Sequence, residues 1–166
     1  MFLSLLTFFH VVISLGGILA GFVVLFGLLT ASRYDRWTAI FLVTTVITSA
    51  TGFLFPVQHF LPSHAVGLIS LVVLAAASYA RYNRQLNGPW RKVYAISAVL
   101  ALYLNVFVAI VQSFLKVPVL KVLAPTQTEA PFKTAQLTVL VIFIVLGAVA
   151  IVRFDAKAAR KISLNA

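Results

Sequence analysis

Residues 2–29 read FLSLLTFFHVVISLGGILAGFVVLFGLL, 28 positions without a single Asp, Glu, Lys or Arg. About 20 apolar residues suffice for a helix to span hydrocarbon, so this stretch alone predicts a transmembrane helix. At 1.5 Å per residue it is about 42 Å long against hydrocarbon about 30 Å thick, and it must tilt or protrude. A secretory signal fits it poorly, because no basic residue precedes the run and the run far exceeds the usual roughly 7–15 residues.

Working outward, uncharged stretches recur at 37–80, 93–115 and 134–152. The first of these is too long for one crossing. Pro56, Pro62 and the polar group Gln58, His59, Ser63 and His64 interrupt it and leave two spans joined by a short loop. Five helices are therefore expected, at 2–29, 37–55, 63–82, 92–115 and 132–153. The expected fold is all-α, a single domain over 1–166 built as an integral membrane bundle of five transmembrane helices. With 62% hydrophobic and 10% charged residues, the composition excludes a soluble enzyme, which carries roughly a quarter charged residues.

The charges that remain lie between and after the apolar runs. Arg33, Arg36, Arg81, Arg84, Arg91, Lys92, Arg153, Lys157, Arg160 and Lys161 fall in alternate connections and the tail, and only Lys116, Lys121 and Lys133 fall on the other side. The positive-inside rule then puts the N-terminus outside and the C-terminus in the cytoplasm. Tyr34, Trp37, Tyr82, Trp90 and Tyr94 gather at the cytoplasmic headgroup level, where amphipathic rings anchor helix ends. A net charge of +10 placed this way predicts contact with anionic lipid and no nucleic-acid partner. Cysteine is absent, which excludes disulfides, thiolate nucleophiles and Cys-ligated metals.

Helices in lipid associate through small residues and sparse polar side chains. On the first helix His10, Ser14, Gly17 and Gly21 keep one face, and on the second Thr45, Thr48 and Gly52 do the same. The third carries His64, Gly67 and Ser78. The fourth carries Ser97, Ala101, Asn105, Gln112 and Lys116. Gly17, Gly21, Gly52 and Gly67 are thus expected at helix contacts, and Ser14, Asn105, Gln112 and Lys116 in a polar bundle interior.

The three histidines are candidates for chemistry. Measured about 30 Å up the first helix from Leu29, His10 reaches the outer level at which His59 and His64 lie. Imidazole ligates transition metals and haem iron and titrates near neutrality. His10 and His64 are therefore candidate ligands of haem b or a transition metal, with His59 a further metal ligand. The alternative is that His59 is a solvated loop residue and that His10 and His64 are hydrogen-bonded packing partners of Ser14 or a loop carbonyl.

Segment 116–133 is too rich in Pro to span, so its apolar residues are expected to lie on the membrane as a lid. Thr126 stands three residues before Glu129 in a capping-box pattern, which reads the chain's one Glu as a helix-start residue rather than a catalytic acid. No carboxylate pair, Walker loop, G-x-G-x-x-G or nucleophile elbow occurs, and no enzymatic activity is expected.

Leu61-Pro-Ser-His-Ala-Val-Gly-Leu-Ile-Ser-Leu71 and Ala101-Leu-Tyr-Leu-Asn-Val-Phe-Val-Ala-Ile-Val-Gln-Ser-Phe-Leu-Lys-Val-Pro118 resemble segments of small uncharacterised bacterial inner-membrane proteins. The resemblance implies a multi-pass protein of the bacterial inner membrane and carries no activity with it. The first helix, with His10 ahead of glycines, is also similar to that of small bacterial membrane proteins suspected of binding haem b. Three functions remain open. One is a structural or accessory subunit that packs against a membrane-protein partner or forms a homo-oligomer. Another is a haem- or metal-binding redox protein using His10 and His64. The third is a small carrier or lipid-handling protein with Asn105, Gln112 and Lys116 as its polar path.

Overall fold

The computed structural model describes residues 2–55 and 62–163, with side chains over 2–55 and 64–155. All regular structure among them is helical: α1 (Phe2–Leu29), α2 (Asp35–Gly52), α3 (Pro62–Ser78), a π-helical turn (Tyr79–Asn83), α4 (Trp90–Lys116), α5 (Pro118–Leu123) and α6 (Ala130–Ser163). Four stretches are long and apolar enough to cross a membrane: Phe2–Leu29, His64–Asn83, Trp90–Lys116 and Ala130–Asp155. α2 is not among them. Its 18 residues open on Asp35 and Arg36 and include Thr38, Thr44, Thr45, Thr48 and Thr51, which lower its hydropathy.

Element ends have local causes. α1 closes with the Ser32 N–H donating to the Gly27 carbonyl at 2.7 Å, and Ala31 takes the left-handed conformation (φ 53°) that this reversal needs. α4 begins at Trp90, two residues before the expected start, because Pro89 supplies a fixed φ of −64° at its N-cap. α2 stops at Gly52, short of the expected Phe55. There Phe53 and Leu54 donate to the Ala50 and Thr51 carbonyls in a tighter turn. The segment expected to lie on the membrane as a lid contains a short helix, α5, with Pro118 in its first turn.

α1 packs along α2 and also touches α4 and α6, α3 sits between α2 and α4, and α4 contacts α1, α3, α5 and α6. Large apolar side chains such as Leu19, Val72 and Ile144 stand on the outside, a surface suited to hydrocarbon. The packed core lies toward one end. Val24, Leu25 and Leu28 of α1, Phe41 and Leu42 of α2, Leu74 of α3, Tyr94 and Leu102 of α4 and Phe154 of α6 fill it.

That end is also locked electrostatically. Arg81, inside the π turn, is buried and pairs with Asp35 at the start of α2. Its guanidinium lies 5.4 Å from the centre of the Tyr94 ring, whose hydroxyl is 3.0 Å from Thr38 Oγ1. The π turn itself follows from the Arg84 N–H reaching back five residues to the Tyr79 carbonyl. Lys92 pairs with Asp155 at 3.2 Å, tying the start of α4 to α6. Arg33, Arg36, Arg81, Arg84, Arg91, Lys92 and Arg153 share this end, as the count of connections requires if α2 and α1 run antiparallel.

Candidate functional site

At the opposite end the helices part around a cavity of about 480 Å³. The residue types explain the opening: toward this end α1 and α2 face each other through His10, Ser14, Thr48 and Gly52, side chains too small or too polar to fill a core. Gly17 marks the boundary. A Cβ there would lie 2.9 Å from Thr44 Oγ1, so α1 and α2 are in close contact just beyond the cavity. Asn105 forms part of the floor, its Nδ2 donating to Thr45 Oγ1 at 3.1 Å across the bundle.

Both described histidines line this space, together with Ser14, Asn105, Gln112 and Lys116. Gly52 and Gly67 are also in its wall, whereas Gly17 and Gly21 belong to helix contacts outside it. The structure thus gathers the two candidate imidazoles and the four candidate polar residues around one volume. His59, and with it Pro56 and Gln58, lies outside the described residues. Among the described residues no three His, Asp or Glu side chains form a metal-binding group.

Thr51 and the aromatic wall were not singled out by the sequence. His10 Nδ1 is 2.9 Å from Thr51 Oγ1, and its ring stands edge-on to Phe55 with centroids 5.2 Å apart. His64 is buried and lies 5.5 Å from the Phe53 ring. Extending the stripe Thr45–Thr48–Gly52 to its neighbour Thr51 was the available signal, since positions 48 and 51 share a helix face. Thr48 adds an anomaly: its hydroxyl oxygen is buried beside the cavity and has no hydrogen-bond partner among the described residues. Buried hydroxyls are normally satisfied, so this one is an exception within the wall.

Lys116 is the one charged residue in the described wall, and no carboxylate lines it. The cavity therefore repels cations and tolerates an anion at the end of α4. Val117 continues the wall into α5, whose Val119 and Val122 are exposed. Beyond it, Thr126 donates its hydroxyl proton toward Glu129 at 2.8 Å, and the Glu129 carboxylate also accepts from the Thr126 and Thr128 N–H groups. Half of the expected box is present: the Glu accepts from the Thr N–H, but α6 starts only after it. Slight desolvation pushes the Glu129 carboxyl up, and these hydrogen bonds outweigh it and hold its pKa below the ordinary value.

Compared with known proteins, the chain matches no protein-family model, no curated protein and no solved structure.

Proposed function

We propose that the protein crosses the bacterial inner membrane five times, with the N-terminus outside and the C-terminus in the cytoplasm, and binds a small amphiphile in its outer half as a lipid-handling or carrier protein. The cavity carries this reading. Its volume lies within the roughly 300–1,000 Å³ of small-molecule sites, and its wall combines a mainly apolar lining with a few converging polar groups. Val11 and Leu15 belong to the wall and are exposed, so it reaches the surface that would face lipid.

The fifth crossing is α2. It runs beside α1, and its threonines do not oppose insertion, because Thr44 and Thr51 donate to the Ile40 and Ile47 carbonyls of their own helix, both at 2.7 Å. Thr38 and Thr45 face Tyr94 and Asn105. A C-terminal fusion to a reporter active only in the cytoplasm should therefore give signal, and a periplasm-dependent enzyme at the same place should be silent. The reverse pair would leave four crossings or six.

Lipid bound to the detergent-purified protein tests the cavity. Mass spectrometry should find one lipid class retained near one molecule per chain. Gly52→Leu should lose it and still melt at nearly the wild-type temperature, because a Cβ at position 52 meets only His10 Cε1, at 3.9 Å. Equal retention by both proteins would place the lipid elsewhere and remove the basis of the proposal.

One observation favours a second reading, a haem- or metal-binding redox protein. Histidines that ligate through one ring nitrogen are commonly oriented by a hydrogen bond at the other, as Thr51 orients His10. A Soret band, or stoichiometric copper, zinc or iron in the purified protein, lost in His10→Ala, would move the assignment there. A protein that retains neither lipid nor metal would be left with an accessory, packing role.

A further inference from the structure

We infer that Thr51 fixes the neutral His10 imidazole as the Nδ1–H tautomer, so that the cavity presents Nε2 as a hydrogen-bond acceptor, and that its occupant is an anionic, hydroxyl-bearing single-chain amphiphile whose hydroxyl donates to His10. This rests on the amphiphile-binding reading and names the ligand within it.

One proton decides the tautomer. The Thr51 hydroxyl has a single hydrogen and lies 2.7 Å from the Ile47 carbonyl, which accepts it; the Thr48 carbonyl, at 3.3 Å, is a weaker second choice. Its oxygen is then left as an acceptor toward His10 Nδ1 at 2.9 Å, and Nδ1 must carry the imidazole proton. Neutral imidazole has only one N–H, so Nε2 holds a lone pair. Thr51 is outside the cavity wall and His10 is in it, which leaves Nε2 as the ring nitrogen available to an occupant.

A lone pair selects a donor. Carbonyl, ether or ester groups cannot pair with it, whereas an alcohol can. Leaving either partner desolvated and unpaired costs affinity, so the site discriminates by whether a hydroxyl is present. Lys116 supplies the second criterion, since an ammonium in a wall without carboxylates favours a phosphate or carboxylate head and opposes a cationic one. The apolar remainder of the wall accommodates a chain.

The tautomer and the ligand are tested separately. In protein labelled with ¹⁵N at histidine, the His10 ring nitrogens should show a protonated Nδ1 and a bare Nε2, and Thr51→Val should abolish that preference. A protonated Nε2 in the wild type overturns the inference and leaves the cavity reading intact. Lysophosphatidate, with its free glycerol hydroxyl, should bind at least about tenfold more tightly than its O-methyl ether, a 1.4 kcal/mol difference for each tenfold. His10→Phe should erase that ratio, while Lys116→Met should weaken both probes alike and preserve it. A carboxylate-headed hydroxy fatty acid, compared with its O-methyl ether, shows which anion is preferred, and the hydroxyl ratio should appear in whichever series binds. Equal affinity of hydroxyl and ether forms overturns the ligand class. So does failure of every probe to bind wild-type protein whose own lipid is still lost in Gly52→Leu, and in that case amphiphile binding stands.

Discussion

Asp35→Ala should destabilise the protein by about 3 kcal/mol in detergent, whereas Arg81→Met should cost less than about 1 kcal/mol, even though Arg81 is the buried member of the pair. The asymmetry follows from which charge is left behind. The Arg81 side chain is 4% exposed and Asp35 is 67% exposed. Removing Asp35 strands a guanidinium that has been taken out of water, leaving it the Tyr94 ring and a hydrogen bond to the Tyr82 side chain in place of a full counter-charge. It also removes an acidic residue from the first turn of α2, a smaller loss of roughly 0.3–1 kcal/mol. Removing Arg81 instead returns Asp35 to solvent beside Arg33, 3.6 Å away, and Met keeps most of the apolar stem of the side chain. The double variant should be more stable than Asp35→Ala alone. Thermal unfolding of the four proteins closes the cycle, and equal cost for both single variants would mean that Arg81 is solvated or paired elsewhere.

This pair also shows where sequence reading stops. The apolar helices were legible because hydrocarbon length and the absence of charge are local properties. So was the face of α1, where the steps from His10 to Ser14, Gly17 and Gly21 follow the helical period, and the structure sets Gly17 against Thr44 and Thr45 and Gly21 against Phe41 and Leu102. Arg81 counted only as a topological charge. Its burial depends on a π turn in which N–H groups reach back five residues, as from Arg84 to the Tyr79 carbonyl, for which the residue pattern has no period. α2 was counted as a span because the whole stretch 37–80 lacks charge, yet its threonines lower its hydropathy and its case rests on where those hydroxyls go. His10 stands out in the sequence as a lone imidazole on an apolar helix, and its partner does not. Thr51 is 41 residues away, and only the register of α1 against α2 brings it there.

Gly21→Leu should damage the packing of α1 severely, lowering stability by about 3 kcal/mol, at the upper end of overpacking costs. A Cβ alone at this position would sit 2.5 Å from Leu102 Cδ1 and 2.9 Å from Phe41 Cε2. The Leu102 methyl can rotate away, and Gly21→Ala should therefore cost less, about 1 kcal/mol. Phe41 cannot yield in the same way, because it is fully buried among α1, α2 and α4 and its displacement moves the whole ring against the core. A leucine must then push α1 away from α2 and α4 and lose the close van der Waals contact that holds helices together in lipid. Gly16, five residues earlier on the same helix, is the control, since a Cβ there meets nothing within 4 Å and Gly16→Leu should be tolerated. At roughly 2–4 °C per kcal/mol for a chain of this size, Gly21→Leu should lower the melting temperature by about 6–12 °C. Equal melting of the Gly16 and Gly21 leucine variants would mean that α1 presents a different face to α2 and α4, and the register that brings His10 to Thr51 would fail with it.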